Sequence, residues 1–156
     1  MALEFSTAGT VVRYCVETSA GTRPTTGYTV IPNIKSTPEF NPEPSNLEVT
    51  DLSDTEWKRY IPGLKDPGGA LSYTANNTTA FQAAWDTFVN AAETAKASGL
   101  NTWIEEYNPA MEDSFYYAGM PSPLGKAGAE VDAVSEIVGY IVPNVIAGWA
   151  EASTNA

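Results

Sequence analysis

The side chains that could do chemistry here are mostly carboxylates. The 156 residues hold nineteen Asp and Glu against eight Lys and Arg, with a single cysteine and no histidine. Without imidazole, the usual proton carrier near neutral pH is missing. Ser-His-Asp and Cys-His catalysis and His-ligated metals are thereby excluded. Acid–base work would fall to carboxylate pairs, and Glu105-Glu106 and Glu112-Asp113 are adjacent. Neighbours on a strand point to opposite faces, so neither pair is a dyad by itself. Asp51 to Glu56 places oxygen ligands at alternate positions, like the start of a calcium loop, but Glu56 stands where that loop needs glycine and Pro62 where it needs glutamate. A turn is the simpler reading. Pro67-Gly68-Gly69 precedes a strand rather than a helix, and no phosphate-loop lysine follows. Asn76 and Asn77 each open an Asn-X-Thr sequon and suit a helix start. Cys15 can form neither an internal disulfide nor a cysteine zinc site, and with Arg13 on its face it reads as a packed, inert thiol. No catalytic residue, cofactor or metal is expected, and the chain is not read as an enzyme.

Charge narrows the partners. The formal net charge is −11. From Leu100 onward the acids Glu105, Glu106, Glu112, Asp113, Glu130, Asp132, Glu136 and Glu151 face Lys126 alone. Such a surface repels a phosphate backbone, which argues against a sequence-specific nucleic-acid reader. No run of eighteen apolar residues is present, so no membrane span is expected. The opening Met1-Ala2-Leu3-Glu4-Phe5 lacks the basic and apolar regions of a signal peptide, so synthesis in the cytosol is expected.

The elements that must position these residues are read from periodicity. Residues 10–17 alternate, with Val12, Tyr14 and Val16 on one face and Arg13, Cys15 and Glu17 on the other. Residues 35–46 carry Pro38, Pro42 and Pro44 and read as an extended loop outside any sheet. Residues 46–51 alternate again, with Leu47 and Val49 expected inward and Glu48 and Thr50 outward. Trp57 to Ile61 resumes the strand pattern and stops at Pro62-Gly63; Ala70 to Ala75 is a further short strand. The clear helix spans about 79–98: Phe81, Trp85, Phe88, Val89 and Ala92 form one stripe. Thr79 and Gln82 have capping-box spacing, and Gly99 supplies the left-handed position beyond the end. Strands follow at 101–107, 113–120 and 131–142, with a short one at 145–149. Consecutive Phe115-Tyr116-Tyr117 puts rings on both faces of its strand, which implies a partner surface. A single 1–156 domain is expected, with a frayed end over 150–156. Strands, one helix and strands again predict an α+β domain: mainly an antiparallel β-sandwich or barrel with one flanking helix.

Two phrases carry a family resemblance. Leu47-Glu48-Val49-Thr50-Asp51 precedes Tyr60-Ile61-Pro62-Gly63-Leu64-Lys65-Asp66, then come a short strand and an amphipathic helix ending at Ala95 to Gly99. The later phrase from Gly128 to Pro143 looks like a closing strand. In order and spacing these resemble the major tail tube proteins of long-tailed phages, with non-contractile tails the better fit, over about residues 9–145. The resemblance implies the phage tail-tube fold, shared with contractile-tail and type VI secretion tubes. It implies homo-hexameric rings that stack into a hollow tube. Other implied partners are a tape measure protein in the lumen and tail terminator and distal tail proteins at the ends. Double-stranded DNA passes through without specific binding. The location implied is the virion tail, with assembly in the host cytoplasm. The N-terminal arm, 1–9, and the loop 35–46 are the segments expected to bridge neighbours. Inter-subunit contact is expected at Phe40 and Pro42 in that loop and at Pro62, Gly63 and Leu64 in the second phrase.

An acidic bore would keep DNA sliding, since a basic wall would bind it through counterion release. Strand parity selects Glu48, Asp132 and Glu136 as the lining, with Glu106 added; there Ile104 puts Glu106 on its own face while Trp103 and Tyr107 put Glu105 on theirs, so the choice between the two stays open. A different class of function, a monomeric carbohydrate-type β-sandwich module, would use Trp57, Tyr60, Trp103, Tyr107, Phe115, Tyr116, Tyr117, Tyr140 and Trp149 as sugar platforms.

Overall fold

The computed structural model describes residues 4–66 and 68–154. Nine strands and one helix follow the order β1 (Val11–Val16), β2 (Thr29–Ile31), β3 (Ile34–Ser36), β4 (Pro44–Glu48), β5 (Tyr60–Lys65), β6 (Leu71–Asn76), α1 (Thr79–Ala97), β7 (Thr102–Tyr107), β8 (Asp113–Pro121) and β9 (Glu136–Glu151). Seven strands form one antiparallel sheet in the order β2-β1-β7-β8-β9-β6-β3. Its two edges are consecutive in the chain. Residues 29–36 pair with β1 through β2 and with β6 through β3. Between them Asn33 turns the backbone at φ 62°, a left-handed conformation that asparagine tolerates. This short lace draws the sheet into a nearly closed barrel and covers edges that would otherwise stay open. The α+β class and the flanking helix are therefore as the periodicity predicts.

The helix stripe supplies the core. Phe81, Trp85, Phe88, Val89 and Ala92 are buried on α1. Phe81, Trp85, Phe88 and Val89 pack in one core with Val12, Tyr14, Tyr73, Ile104, Tyr117 and Ile141 from six-residue and longer strands. Tyr14 stacks on Phe88 with ring centroids 4.5 Å apart, and the Trp85 indole donates to the Ser122 carbonyl at 2.8 Å. Gly139 lies beneath that indole: a Cβ there would sit 2.6 Å from it. Thr78, one residue before the expected cap, accepts from the Phe81 amide at 3.1 Å. Gly99 has φ 74°, and the Leu100 amide closes the helix end on the Ala95 carbonyl at 2.8 Å, as the expected glycine termination requires.

Three expectations are corrected. The closing strand does not begin at Val131. Asp132 turns the chain at φ 59°, Val131 is exposed, and pairing starts at Glu136 and runs through Pro143 to Glu151. A shift in register opposite Ala118 and Gly119 lets Pro143 stay in the strand, since a bulge needs no donor from it. The second correction concerns the prolines. Pro44 opens β4 and Pro62 lies within β5. These strands form a separate two-stranded ribbon in which each strand is an edge, so an outward-facing position loses no ladder bond. Third, Leu47 and Val49 are exposed rather than inward, because this hairpin lies on no sheet of its own chain. At the C-terminal end, residues 150 and 151 belong to β9, and the Ala152, Ser153 and Thr154 amides bond to Glu112, Glu105 and Thr25. The rest of the expected fray, 155–156, and residues 1–3 of the expected arm lie outside the described residues.

Candidate assembly interface

Opposite the helix, the sheet carries a second, more polar layer. The parity of β1 puts Arg13 and Cys15 there, and β8 adds Ser114, Tyr116 and Ala118. Glu105 is fully buried in this layer. Arg13 Nε lies 2.8 Å from it, and Tyr116 Oη and the Ser153 amide donate to it at 2.8 and 2.9 Å. Burial alone would raise its pKa, but the donors from Ser153 and Tyr116 outweigh that and hold it below the usual carboxylate value. Glu17 is a second buried acceptor, taking the Trp103 indole N–H at 3.0 Å and the Asn101 amide at 2.8 Å. The Arg23 guanidinium covers the Tyr116 ring at 4.0 Å. Rings do occupy both faces of β8, but the chain's own segment after β1 and its own C-terminal residues cover Tyr116. The partner surface inferred from Phe115-Tyr116-Tyr117 is thus intramolecular.

The four acids expected to line a bore do not form one cluster. Glu48 is exposed on β4, and Asp132 is exposed in the turn before β9, outside any strand parity. Glu136 opens β9 and pairs with Lys35. Glu106 departs furthest from the expectation. It lies on the helix side of β7, half-buried, and accepts from Tyr73 Oη at 2.7 Å, with Tyr117 Oη next in the chain of hydroxyls. Burial raises its pKa, only partly offset by the Tyr73 hydrogen bond. Glu105 and Glu106 thus sit on opposite faces, as strand geometry demands.

The expected inter-subunit residues also divide. Phe40 is half-buried on its own subunit, 5.6 Å from the Phe115 ring, so it is no free anchor. Pro42 is half-buried nearby in sequence. Pro62 and Leu64 are exposed on β5, with Leu64 at 91%. Gly63 faces Ser45 so closely that a Cβ would meet its Oγ at 2.3 Å, while that hydroxyl donates to the Leu64 carbonyl. The hairpin is held internally by such contacts, and at its end Arg59 reaches Asp54 at 2.8 Å. Leu47, Tyr60, Ile61 and Leu64 on the strands, and Leu52 and Trp57 in the connection, remain exposed. A second apolar row, Val138, Tyr140, Val142 and Val145, lies exposed along β9. Sequence reasoning missed the Arg13–Glu105 pair. The signal was two opposite charges in strands, but which strands would be neighbours was not readable.

No protein-family model matches the chain, and no curated protein matches it. Solved structures do. One chain of "the anti-feeding prophage (AFP) baseplate, 6-fold symmetrised" aligns over 99% of this chain and 100% of its own, at 8% identity and a TM-score of 0.58. A chain of "the anti-feeding prophage cap (AFP tube terminating cap)" aligns over 97% and 95%, at 12% identity and 0.56. A chain of the phage p2 baseplate aligns at 9% identity over 89% of this chain and 45% of its own, with a TM-score of 0.43. The fold of this chain is therefore similar, end to end, to that of chains found in prophage baseplate and tube-cap assemblies.

Proposed function

We propose that the chain is a non-catalytic structural subunit of a phage-type tail, and within it the subunit of the tube: homo-hexameric rings stacked into a conduit for DNA. The observation that carries this is the β4–β5 hairpin. An isolated two-stranded hairpin is marginal in water, yet this one pairs from Pro44 to Glu48, through one irregularity after Pro44, with apolar side chains exposed and, among the described residues, no sheet beneath it. A neighbouring copy supplies the missing layer. The six-fold symmetry of the similar baseplate structure and the match to the cap chain over 97% of this chain support the same reading. Head-to-tail contact between rings is heterologous and extends without closing, which produces a filament. The lumen would hold a tape measure protein during assembly and pass DNA during infection. Terminator and distal tail proteins would close the ends.

Negative-stain microscopy of the concentrated protein tests this. Rings about six-fold in projection, or tubes, are the expected outcome. A strictly monomeric species in sedimentation at all concentrations would instead favour a monomeric carbohydrate-type module, for which the exposed Trp57, Tyr140 and Trp149 are the available platforms.

A further inference from the structure

Glu105 and Glu106 are neighbours in sequence with opposite circumstances. Glu105 has a cation and several donors. Glu106 opens onto a cavity of about 300 Å³ whose wall is mainly apolar, with Phe40, Tyr107, Met111, Phe115 and Trp149, and carries Thr7, Thr10 and Asn108 as its other polar residues. Among the described residues it takes one hydrogen bond, from Tyr73, and forms no ion pair. An ionised carboxylate has acceptor capacity for about four donors, so one leaves it largely unsatisfied. An unpaired charge in an apolar recess is costly, and aromatic faces attract cations. An ammonium on a methylene stem answers all three conditions: the stem packs on the rings and the head meets the carboxylate.

The chain's own basic residues narrow the source. Arg13, Lys35 and Arg59 are ion-paired, and Arg23 lies on Tyr116. Lys126 donates to the Ala127 carbonyl, and Lys96 sits in the last turn of α1, where the dipole favours it. Lys58 and Lys65 remain. Both are exposed, neither forms an ion pair among the described residues, and both belong to the β4–β5 hairpin and its connection, which lack a supporting sheet. Trp57, beside Lys58, is 80% exposed and would add apolar contact.

We propose that the Glu106 cavity is a receptor for a lysine side chain, Lys58 or Lys65, from the hairpin of a second copy. The occupant rests on the assembly reading above; the cavity's preference for an apolar-stemmed cation does not. The test is a double-mutant cycle on full-length protein, with copy-to-copy association measured by sedimentation at neutral pH. Glu106→Gln keeps an acceptor for Tyr73, and circular dichroism checks that the fold is retained. It is expected to weaken association by on the order of tenfold. Lys58→Gln with Lys65→Gln is expected to do the same, and adding Glu106→Gln to that pair is expected to cost nothing further. If wild type assembles and Glu106→Gln assembles equally well, or if the two effects simply add, this inference is overturned while the tail reading stands. If wild type never associates, the assembly reading fails and this occupant fails with it. In that case binding of n-butylammonium, read by Trp149 fluorescence and lost in Glu106→Gln, still decides the chemistry of the cavity. Equal response in both proteins overturns that part too.

Discussion

Two adjacent glutamates make opposite demands on pH. Glu106 has its pKa raised in the folded state, by burial first, so the fold favours its neutral form. Its contribution to stability is full below the unfolded pKa and is lost as pH rises through the folded one. Glu106→Gln mimics the neutral form, so in unassembled protein its melting temperature should exceed wild type at pH 7, with the gap closing towards pH 4. A constant gap across that range would show that Glu106 is not desolvated as described. Glu105 has the reverse sign: its folded pKa is lowered, so its contribution is present above the unfolded pKa and lost as pH falls through the folded one. Glu105→Gln leaves Arg13 buried without its counter-charge, a loss of about 3–5 kcal/mol near neutrality. In thermal unfolding that penalty should shrink as pH drops below 4; a penalty unchanged with pH would mean that the ion pair is not its source. Sequence reading reached half of this. Alternation separates Glu105 from Glu106, but Trp103 and Ile104 are both buried, so hydrophobicity alone could not say which acid faced which layer.

At the scale of the element, α1 was legible because its signals are local. One apolar stripe, a threonine cap and a glycine stop define it, and only the cap moved, by one residue. Its docking site was not local. Nothing in the sequence marks Gly139 as the residue that lies beneath Trp85, where a Cβ would sit 2.6 Å from the indole. Trp85→Ala should cost about 3–5 kcal/mol in denaturant unfolding. Gly139→Ala should cost about 1–3 kcal/mol by overpacking against the indole. If the contact is as described, combining Gly139→Ala with Trp85→Phe should recover part of the glycine penalty, since the smaller ring leaves room for the methyl. Strict additivity of the two changes would remove Gly139 from beneath the indole. The hairpin shows the converse limit. Its alternation gives two strands, offset from the observed Pro44–Glu48 and Tyr60–Lys65, and it does not tell whether an alternating face has something to face. Periodicity reports which side chains share a side, not whether the same chain covers them. The barrel lace over residues 29–36 was missed for a related reason: three-residue strands carry almost no periodic signal, and their partners are distant in sequence.

At the scale of the molecule, the net charge of −11 is the property that assembly would multiply. The single chain spreads the relevant acids over separate places: Glu48 on the hairpin, Asp132 in a turn, and Glu136 beside Lys35. Glu106 is turned into the helix-side layer and drops out of any bore. Only stacking could gather the other three, so the acidic-bore reading is a statement about the assembly. The Lys35 pairing sharpens it. An exposed pair of this kind contributes about 0–1 kcal/mol and is screened by salt, so Glu136 brings less net negative charge than Asp132 does. If these acids face the conduit, assembled wild-type tubes should not retain double-stranded DNA at low ionic strength. Tubes carrying Glu48→Lys, Asp132→Lys and Glu136→Lys should retain it, because each new cation displaces counterions from phosphate. Retention should then fall steeply as salt rises, with a log–log slope of about 0.9 for each phosphate contacted. A filter-binding or co-sedimentation titration across salt reads both the retention and the slope. Asp132→Lys alone should have a larger effect than Glu136→Lys alone, since the latter also places two cations side by side. Tubes of the triple variant that form normally yet ignore DNA at every salt concentration would place these acids on the outer wall, where their role is solubility.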